Sequence, residues 1–571
     1  YGTAMLLSGN YKQEAFASLV NIDNIKMIEV LYNIAVNDKT NAQAALNRYT
    51  SLVAKSAHTS IRKYQLYRRA LEIASDVKVQ NRLINLLGET HTYQALMLVE
   101  KYMDNKATAE AAAEAVRTIA SKNSENFGGE PVRKALEKAI ACFKEAGHAD
   151  AGYAIDDINA ILQRLPQAAY IPIFGNAEWT VIALNPAQKA SMNPKKIKKH
   201  EALTATTSDL WKITENGIAY TGGKNAILGT GNYENFELWF EWKGTGKAGL
   251  GVRSIRQIDL GGDKSGALSG NIKTKNTPEK VADNIAGEWN TVYVKVLNDR
   301  VTVSVNGVVT ATNIILENSC DRNIPAYVKG QLMLIGEGTP VEYREMYIRE
   351  LPSTPKFNLP AEEAKEGFEI LFDGTSMHKW TGNTTDYVPV DGTIYVTAQY
   401  GGSGNLYTVK EYSDFVFRFE FAFMREGVNN GVGIRTPMGV DAAYEGMEIQ
   451  ILDHDAPIYK GLREYQQHGS VYGIIPAKRV KFPALGEWNT EEIRAVGDRI
   501  TVTVNGEIIL DGNIREACQG HNVSEDGSTK NPHTVDRKNH PGLFNKSGHI
   551  GFLGHGAGVK FRNIRIKDLS K

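Results

Sequence analysis

From about Tyr11 to Leu165 apolar residues return at helical spacing, as in the stripe Leu96, Val99 and Met103, within a background of Ala, Leu, Glu and Lys and almost no Pro. That period predicts one amphipathic helix after another. Small residues dominate ATAEAAAEAVRTIA, Ala107 to Ala120, and such a face lets a neighbouring helix approach closely, as stacked helical pairs require. After Pro166 alternation takes over, with Gly, Thr, Val, aromatic residues and two-residue turns. FELWFEW, Phe236 to Trp242, and FVFRFEF, Phe415 to Phe421, both alternate and look like copies of one strand.

The copying is extensive. GEWNTVYVKVLNDRVTVSVNG from Gly287 parallels GEWNTEEIRAVGDRITVTVNG from Gly486, so Trp289 maps onto Trp488 and Asn306-Gly307 onto Asn505-Gly506. Asn-Gly between β-branched runs predicts a tight hairpin, because both residues accept positive φ at low steric cost. GQLMLIGEGTPVEYREMYIREL from Gly330 parallels GHIGFLGHGAGVKFRNIRIKDL from Gly548. Cys320 and Cys518 also occupy nearly the same place in the two copies, which favours a structural role for them. Many short alternating strands with Gly-rich turns predict a two-sheet jelly-roll sandwich in each copy.

Composition then sets bounds. The 571 residues exceed what one hydrophobic core supports. The expected division is a helical repeat over 1–167, a degenerate β-sandwich over 168–354 and a second β-sandwich over 355–571, with PKFNLPAEEAKE, Pro355 to Glu366, as a polar connector. Lys plus Arg and Asp plus Glu are both 65, so no global charge attracts nucleic acid or an anionic membrane. No apolar run reaches the roughly eighteen residues of a membrane-spanning helix. The three cysteines form no CxxC pair, so neither a thiolate zinc site nor a disulfide framework is expected. The chain opens at Tyr1 without Met or a leader, and reads as a trimmed or mature fragment from which an export signal could have been removed.

Candidate chemistry emerges where the copies differ. The first reads GLGVRSIRQIDLGG from Gly249; the second reads NNGVGIRTPMGVDAAYEGMEIQILDHD from Asn429, longer and more polar. Arg253 and Arg435 correspond, and Gln257 aligns with Gln450 loosely, but Glu448 has no carboxylate counterpart. REYQQHGSVYG after Gly461 is an insertion of the second copy. On a strand Glu448 and Gln450 share a face, opposite Met447, Ile449 and Ile451, which places a carboxylate beside an amide in a way that suits sugar hydroxyls. The structural alternative is a solvated sandwich face. Arg435 could clamp a carboxylate or orient Glu448, or be structural like Arg253. Asp453, His454 and Asp455 follow the strand, and His468 and Tyr472 come from the insertion as candidate proton donors. For His468 the alternative is a loop histidine bonded to backbone. His555 replaces Glu337 of the first copy. Asp, Glu and His also suit a divalent cation, without a specific ligand spacing. GGSG at Gly401 to Gly404 does not open a helix, so no phosphate loop is expected. The sequon Asn383-Thr384-Thr385 adds little.

LFDGTSMHKW, Leu371 to Trp380, the NNGVGIR strand, YEGMEIQILD, Tyr444 to Asp453, and FRNIRIKDL from Phe561 together resemble the 3-keto-disaccharide hydrolase family. The helical segment resembles HEAT repeats. The resemblance implies a concanavalin A-like lectin and glucanase sandwich, a carbohydrate substrate oxidised at carbon 3, and export by analogy. For that chemistry the expected base is Glu448 or another carboxylate, the acid His468 or Tyr472, and Arg435 with Gln450 the pair that positions the sugar. Direct hydrolysis by Glu448 and Asp453 is the competing route. A lectin-like module stacking sugars on Trp380, Tyr444 and Tyr472 is the non-enzymatic reading. An assembly protein, with the helical repeat docking a protein partner, is the third.

Overall fold

The computed structural model describes residues 12–570 apart from 148–149, 183, 185–192, 206, 272–275, 299, 320–325, 354, 376, 385 and 397–403. Cys320, Thr385 and Gly401 to Ser403 therefore lie outside the described residues. The chain begins with α-helices at Lys12–Val20, Met27–Asn37, Ala42–Lys55, Ser60–Ile73, Val77–Gly88, Tyr93–Glu100, Ala109–Lys122, Gly129–Ala146 and Ala151–Arg164. Thr59, Asp76 and Thr92 start three of them by accepting the N–H of the residue three places on, satisfying a donor that the helix leaves free. The small-residue face works as its composition suggests: a Cβ at Gly88 would stand 3.0 Å from Ala115 Cα, so these two helices meet nearly backbone to backbone. Among the described residues no helix is long and apolar enough to cross a membrane.

Two sandwiches follow, each an eight-stranded sheet packed on a five-stranded one, all antiparallel. In the second, the smaller sheet runs Trp380–Gly382, Leu406–Tyr412, Gly548–Phe552, Asn429–Thr436, Met447–Leu452, in that spatial order. In the first, the corresponding order is Trp179–Val181, Ala226–Tyr233, Gly330–Gly336, Ala248–Val252, Ile255–Leu260. Alternation buries Phe415, Phe417, Phe419 and Phe421 against Ile434, Met447, Ile449 and Ile451 in the second core. Both Asn-Gly hairpins have positive φ at each residue: 51° and 79° at Asn306 and Gly307, 50° and 84° at Asn505 and Gly506.

The helical segment docks on the first sandwich. Gln65 Nε2 donates to Thr291 Oγ1 at 2.9 Å and Asn306 Oδ1 at 2.7 Å. Arg69 pairs with Glu288 at 2.9 Å, and Arg68 with Glu345 at 3.0 Å. Tyr93 meets Tyr347 edge to face, extending the helical core onto the outer face of the eight-stranded sheet. The connector is not wholly irregular, because Ala361–Glu366 forms a short helix. Arg418, at 3.0 Å, and Arg565, at 2.8 Å from its second nitrogen, hold Glu363 of that helix onto the second sandwich.

Candidate functional site

The register of the smaller sheet in the second copy sets one row of residues on its outer face. Thr381 lies opposite Tyr407, Tyr407 opposite Gly551, Gly551 opposite Gly433, and Gly433 opposite Glu448. Gln450 stands next along, opposite Gly431. Glu448 is 4 % exposed, and its side chain folds over Gly431, where a Cβ would stand 2.3 Å from Glu448 Oε1. The glycine is therefore the space the carboxylate occupies. His555, with 45 % of its side chain exposed, brings Nε2 to 3.5 Å from Glu448 Oε1. The hydrogen-bonding Glu448 carboxylate raises the imidazole above its ordinary value; burial opposes this, and the charges of Glu448 and Asp441 reinforce it. Gln450 donates to Asn429 Oδ1 at 3.3 Å, while its own Oε1 is buried without a hydrogen-bond partner. A buried acceptor left open in this way suits a ligand hydroxyl.

The first copy shows what this face becomes without a site. Met333 takes the place of Gly551, and its methyl lies where a Cβ on Gly251, the equivalent of Gly433, would be 2.4 Å away. Ile182 likewise covers Gly229. The pairing also corrects the loose alignment of Gln257: Asp259, opposite Gly249, is the residue that stands where Gln450 does. Opposite Gly251, at the Glu448 position, the chain has Arg256.

Two segments wall the second-copy site. Backbone of the first, Gly469 to Tyr472, pairs with the free edge of the Met447–Leu452 strand: Tyr472 N–H donates to Glu448 O at 2.9 Å and Gly469 N–H to Gln450 O at 2.7 Å. The first copy pairs the same edge, Gly266 N–H donating to Asp259 O at 2.8 Å, so this stretch is shared by both copies and is not the insertion expected from the sequence. An edge that would otherwise template aggregation is thereby covered. Burial raises the Tyr472 phenol, Gln466 opposes it, and the charges of Tyr444, Tyr465 and Glu448 add to it. The second, an insertion over residues 514 to 547, is fastened to the first by Val535 N–H and Asp536 N–H donating to Gly473 O at 3.0 and 3.2 Å. It contributes Lys538, whose Nζ donates to Tyr444 OH at 2.8 Å, and His540, held between Ala443 O and Asp536 at 3.0 and 3.1 Å. Sequence reasoning missed Lys538 and His540. The signal was present in the greater length of this segment than of its counterpart, residues 316 to 329.

Other candidates drawn from the sequence belong to the scaffold. Trp380 is 0 % exposed, donates to Leu371 O at 2.9 Å and stacks on Phe552 in the core, so it offers no platform to a sugar. His468 is also 0 % exposed, among Phe421, Phe423 and Phe482, with Nδ1 accepting Leu452 N–H at 3.1 Å and Nε2 3.2 Å from buried Glu491. A sealed imidazole cannot reach a leaving group, so the expected acid role for His468 is corrected to packing. Arg435, 3 % exposed and at φ 49°, spends its guanidinium on Ser413 O, Gly497 O and Asp414 at 2.7, 2.8 and 3.0 Å. Arg253, at φ 52°, similarly binds Glu234 O at 2.9 Å, so this arginine is a shared structural clamp and does not orient Glu448. Asp453 accepts Gly427 N–H at 2.9 Å, His454 bonds Val480 O at 2.9 Å, and Asp455 pairs with Arg479. These three do not converge on one point. Among the described residues the cluster fitted to a metal ion is instead His521, Glu525 and His533.

A 3-keto-disaccharide hydrolase of Bacteroides thetaiotaomicron is 27 % identical over 256 residues, covering 39 % of this chain and 86 % of that protein. A candidate glycosyl hydrolase from Parabacteroides distasonis, known from its crystal structure, is 25 % identical, with 38 % of this chain and 100 % of that one covered at a TM-score of 0.32. A second such structure from the same organism is 24 % identical, with 35 % and 99 % covered at a TM-score of 0.30. The profile of the 3-keto-alpha-glucoside-1,2-lyase-like domain matches residues 190–349 and again 367–567, taking in both sandwiches. The chain thus belongs to the family of 3-keto-alpha-glucoside-1,2-lyase-like domains.

Proposed function

We propose that the second sandwich cleaves glycosidic bonds in sugars already oxidised at carbon 3, with Glu448 as the general base. The observation that carries this reading is the Glu448 carboxylate, buried over Gly431 and paired with exposed His555 on a sheet face that the first copy fills with Met333. A ketone at carbon 3 acidifies the hydrogen on carbon 2. Glu448 takes that proton, its electron pair forms the C1–C2 double bond, and the C1–O bond breaks. The departing oxygen receives a proton from Tyr472, the expected donor that remains once His468 is assigned to the core, or from His555, the exposed imidazole beside Glu448. Water adding across the double bond gives net hydrolysis. Gln450, with its open acceptor, takes the positioning role, and Lys538 with Tyr444 supplies a second set of donors nearby. The name of the Bacteroides thetaiotaomicron relative supports the same substrate class.

Direct hydrolysis by Glu448 and Asp453 has less support, since the Asp453 carboxylate is occupied by the Gly427 N–H at 2.9 Å. Export, expected by analogy, belongs to the same proposal and is read by cell fractionation. The helical stack, proposed to be HEAT-like and to dock a protein partner, already spends one face on the first sandwich.

The test is the initial rate on a 3-keto-glucoside carrying deuterium at carbon 2, beside its protiated form and the unoxidised parent. Elimination expects a primary isotope effect and an inert parent. Equal cleavage of all three, without an isotope effect, would replace it with direct hydrolysis. Binding of the parent with no cleavage of any of them would favour the lectin-like reading.

A further inference from the structure

The long insertion of the second copy carries a group of side chains that the sugar chemistry does not use. His521 Nδ1 lies 3.4 Å from Glu525 Oε1, and His533 Nε2 lies 3.7 Å from Glu525 Oε2. The two imidazoles stack at 4.4 Å with 28° between their planes, and one ligand atom from each of the three residues falls within 4.8 Å of the others. Separations of 3.4 and 3.7 Å are long for hydrogen bonds. They are close to the span of about 3.3 Å between two atoms that share a tetrahedral zinc at roughly 2.0–2.1 Å each. We propose that His521, Glu525 and His533 form a zinc site, with water completing the fourth position.

The backbone holds these side chains together in advance. Asn531, 0 % exposed, donates from Nδ2 to His521 O at 2.8 Å and accepts His533 N–H on Oδ1 at 3.0 Å, so one buried amide sets both histidines relative to each other. Asn539 Oδ1 accepts Ser524 N–H at 2.7 Å, and Asp526 accepts Ser528 N–H at 2.9 Å, which fixes the turn that presents Glu525. Imidazole nitrogen suits zinc and its first-row neighbours, whereas calcium and magnesium prefer an all-oxygen shell. Side-chain exposures of 36, 66 and 22 % for His521, Glu525 and His533 leave room for the rotations that close the widest separation and for a water ligand.

The site belongs to the second copy. Its first-copy counterpart, residues 316 to 329, contains no histidine. A bound ion would cross-link residues 521 and 533, immediately before the stretch that supplies Asp536, Lys538 and His540 to the wall of the sugar site. Its role is then to steady that wall. The proposal stands whether or not the protein turns over keto sugars.

Chelator-stripped protein, dialysed against micromolar zinc and then against zinc-free buffer, should retain one zinc per chain by elemental analysis. The double variant His521→Ala, His533→Ala should lose it, Glu525→Gln should bind at least about tenfold more weakly, and His555→Gln should bind as wild type. Absence of a stoichiometric zinc in wild type, or full zinc binding by the double variant, would overturn the proposal. Should the double variant fail to fold, Glu525→Gln decides alone, since that side chain is 66 % exposed, and undiminished zinc binding there would likewise overturn it.

Discussion

Gly431→Ala separates the position of the Glu448 carboxylate from its chemistry. The backbone at Gly431 is ordinary strand, so alanine fits it; the obstacle is the carboxylate, whose Oε1, Cδ and Cγ would stand 2.3, 3.0 and 3.0 Å from the new methyl. Reaching an ordinary contact of 3.4 Å requires Oε1 to move by about 1 Å. The side chain can swing at little cost to folding, and replacing a strand glycine recovers about 0.5–1 kcal/mol, so stability should stay within about 1 kcal/mol of wild type. Catalysis is less forgiving: a displacement of about 1 Å at a reacting group costs on the order of 10²-fold, or about 2.7 kcal/mol of barrier. The assay is kcat/KM on a 3-keto-glucoside together with a thermal melt of the same preparation. A variant that melts like wild type and retains kcat/KM within threefold would refute the reasoning, because the carboxylate would then be active from a place it cannot share with the methyl.

His468→Ala should behave in the opposite way, losing about 1–3 kcal/mol of stability because it leaves the buried Glu491 carboxyl without its partner, while the folded fraction keeps kcat within a few-fold; denaturant melts and rates at matched folded fraction read both. His555 should titrate above the usual imidazole value of about 6.5 and fall toward it in Glu448→Gln, followed by NMR of the imidazole Cε1 proton. Because its folded value is the raised one, the stabilisation it gives is complete below about pH 6.5 and is lost as pH rises through the folded value; an unshifted titration in the variant would remove the pairing. Gln65→Ala removes donors to Thr291 and Asn306 and an acceptor for Asn284 at 2.9 Å, and should loosen the helical segment from the first sandwich by about 1–3 kcal/mol, seen as faster proteolysis between them.

The architecture was legible because each element announces itself locally: a helical period before Leu165, alternation after Pro166, Asn-Gly turns at matching places, and duplicated strands. Glu448 and Gln450 were legible from strand alternation together with subtraction of one copy from the other. Burial was not. His468 and Trp380 read as polar or aromatic site residues, yet the segment beside the edge strand folds His468 inward against three phenylalanines and the opening strand carries Trp380 into the core. Arg435 illustrates a different limit: its match to Arg253 already hinted at structure, but only its positive φ and its three partners, two carbonyls and the Asp414 carboxylate, show that its guanidinium is spent within the scaffold. Lys538 and the histidines at 521 and 533 depend on how a long loop closes on itself, which no periodicity encodes.

The central claim rests on one carboxylate, and the most direct measurement is turnover of a 3-keto-glucoside by wild type and by Glu448→Gln, an isosteric change that keeps the space over Gly431 filled. The expected result is cleavage by wild type and loss of at least about 10³-fold in kcat for the variant, with its melting temperature preserved. A folded Glu448→Gln that cleaves the keto sugar at close to the wild-type rate would contradict the account.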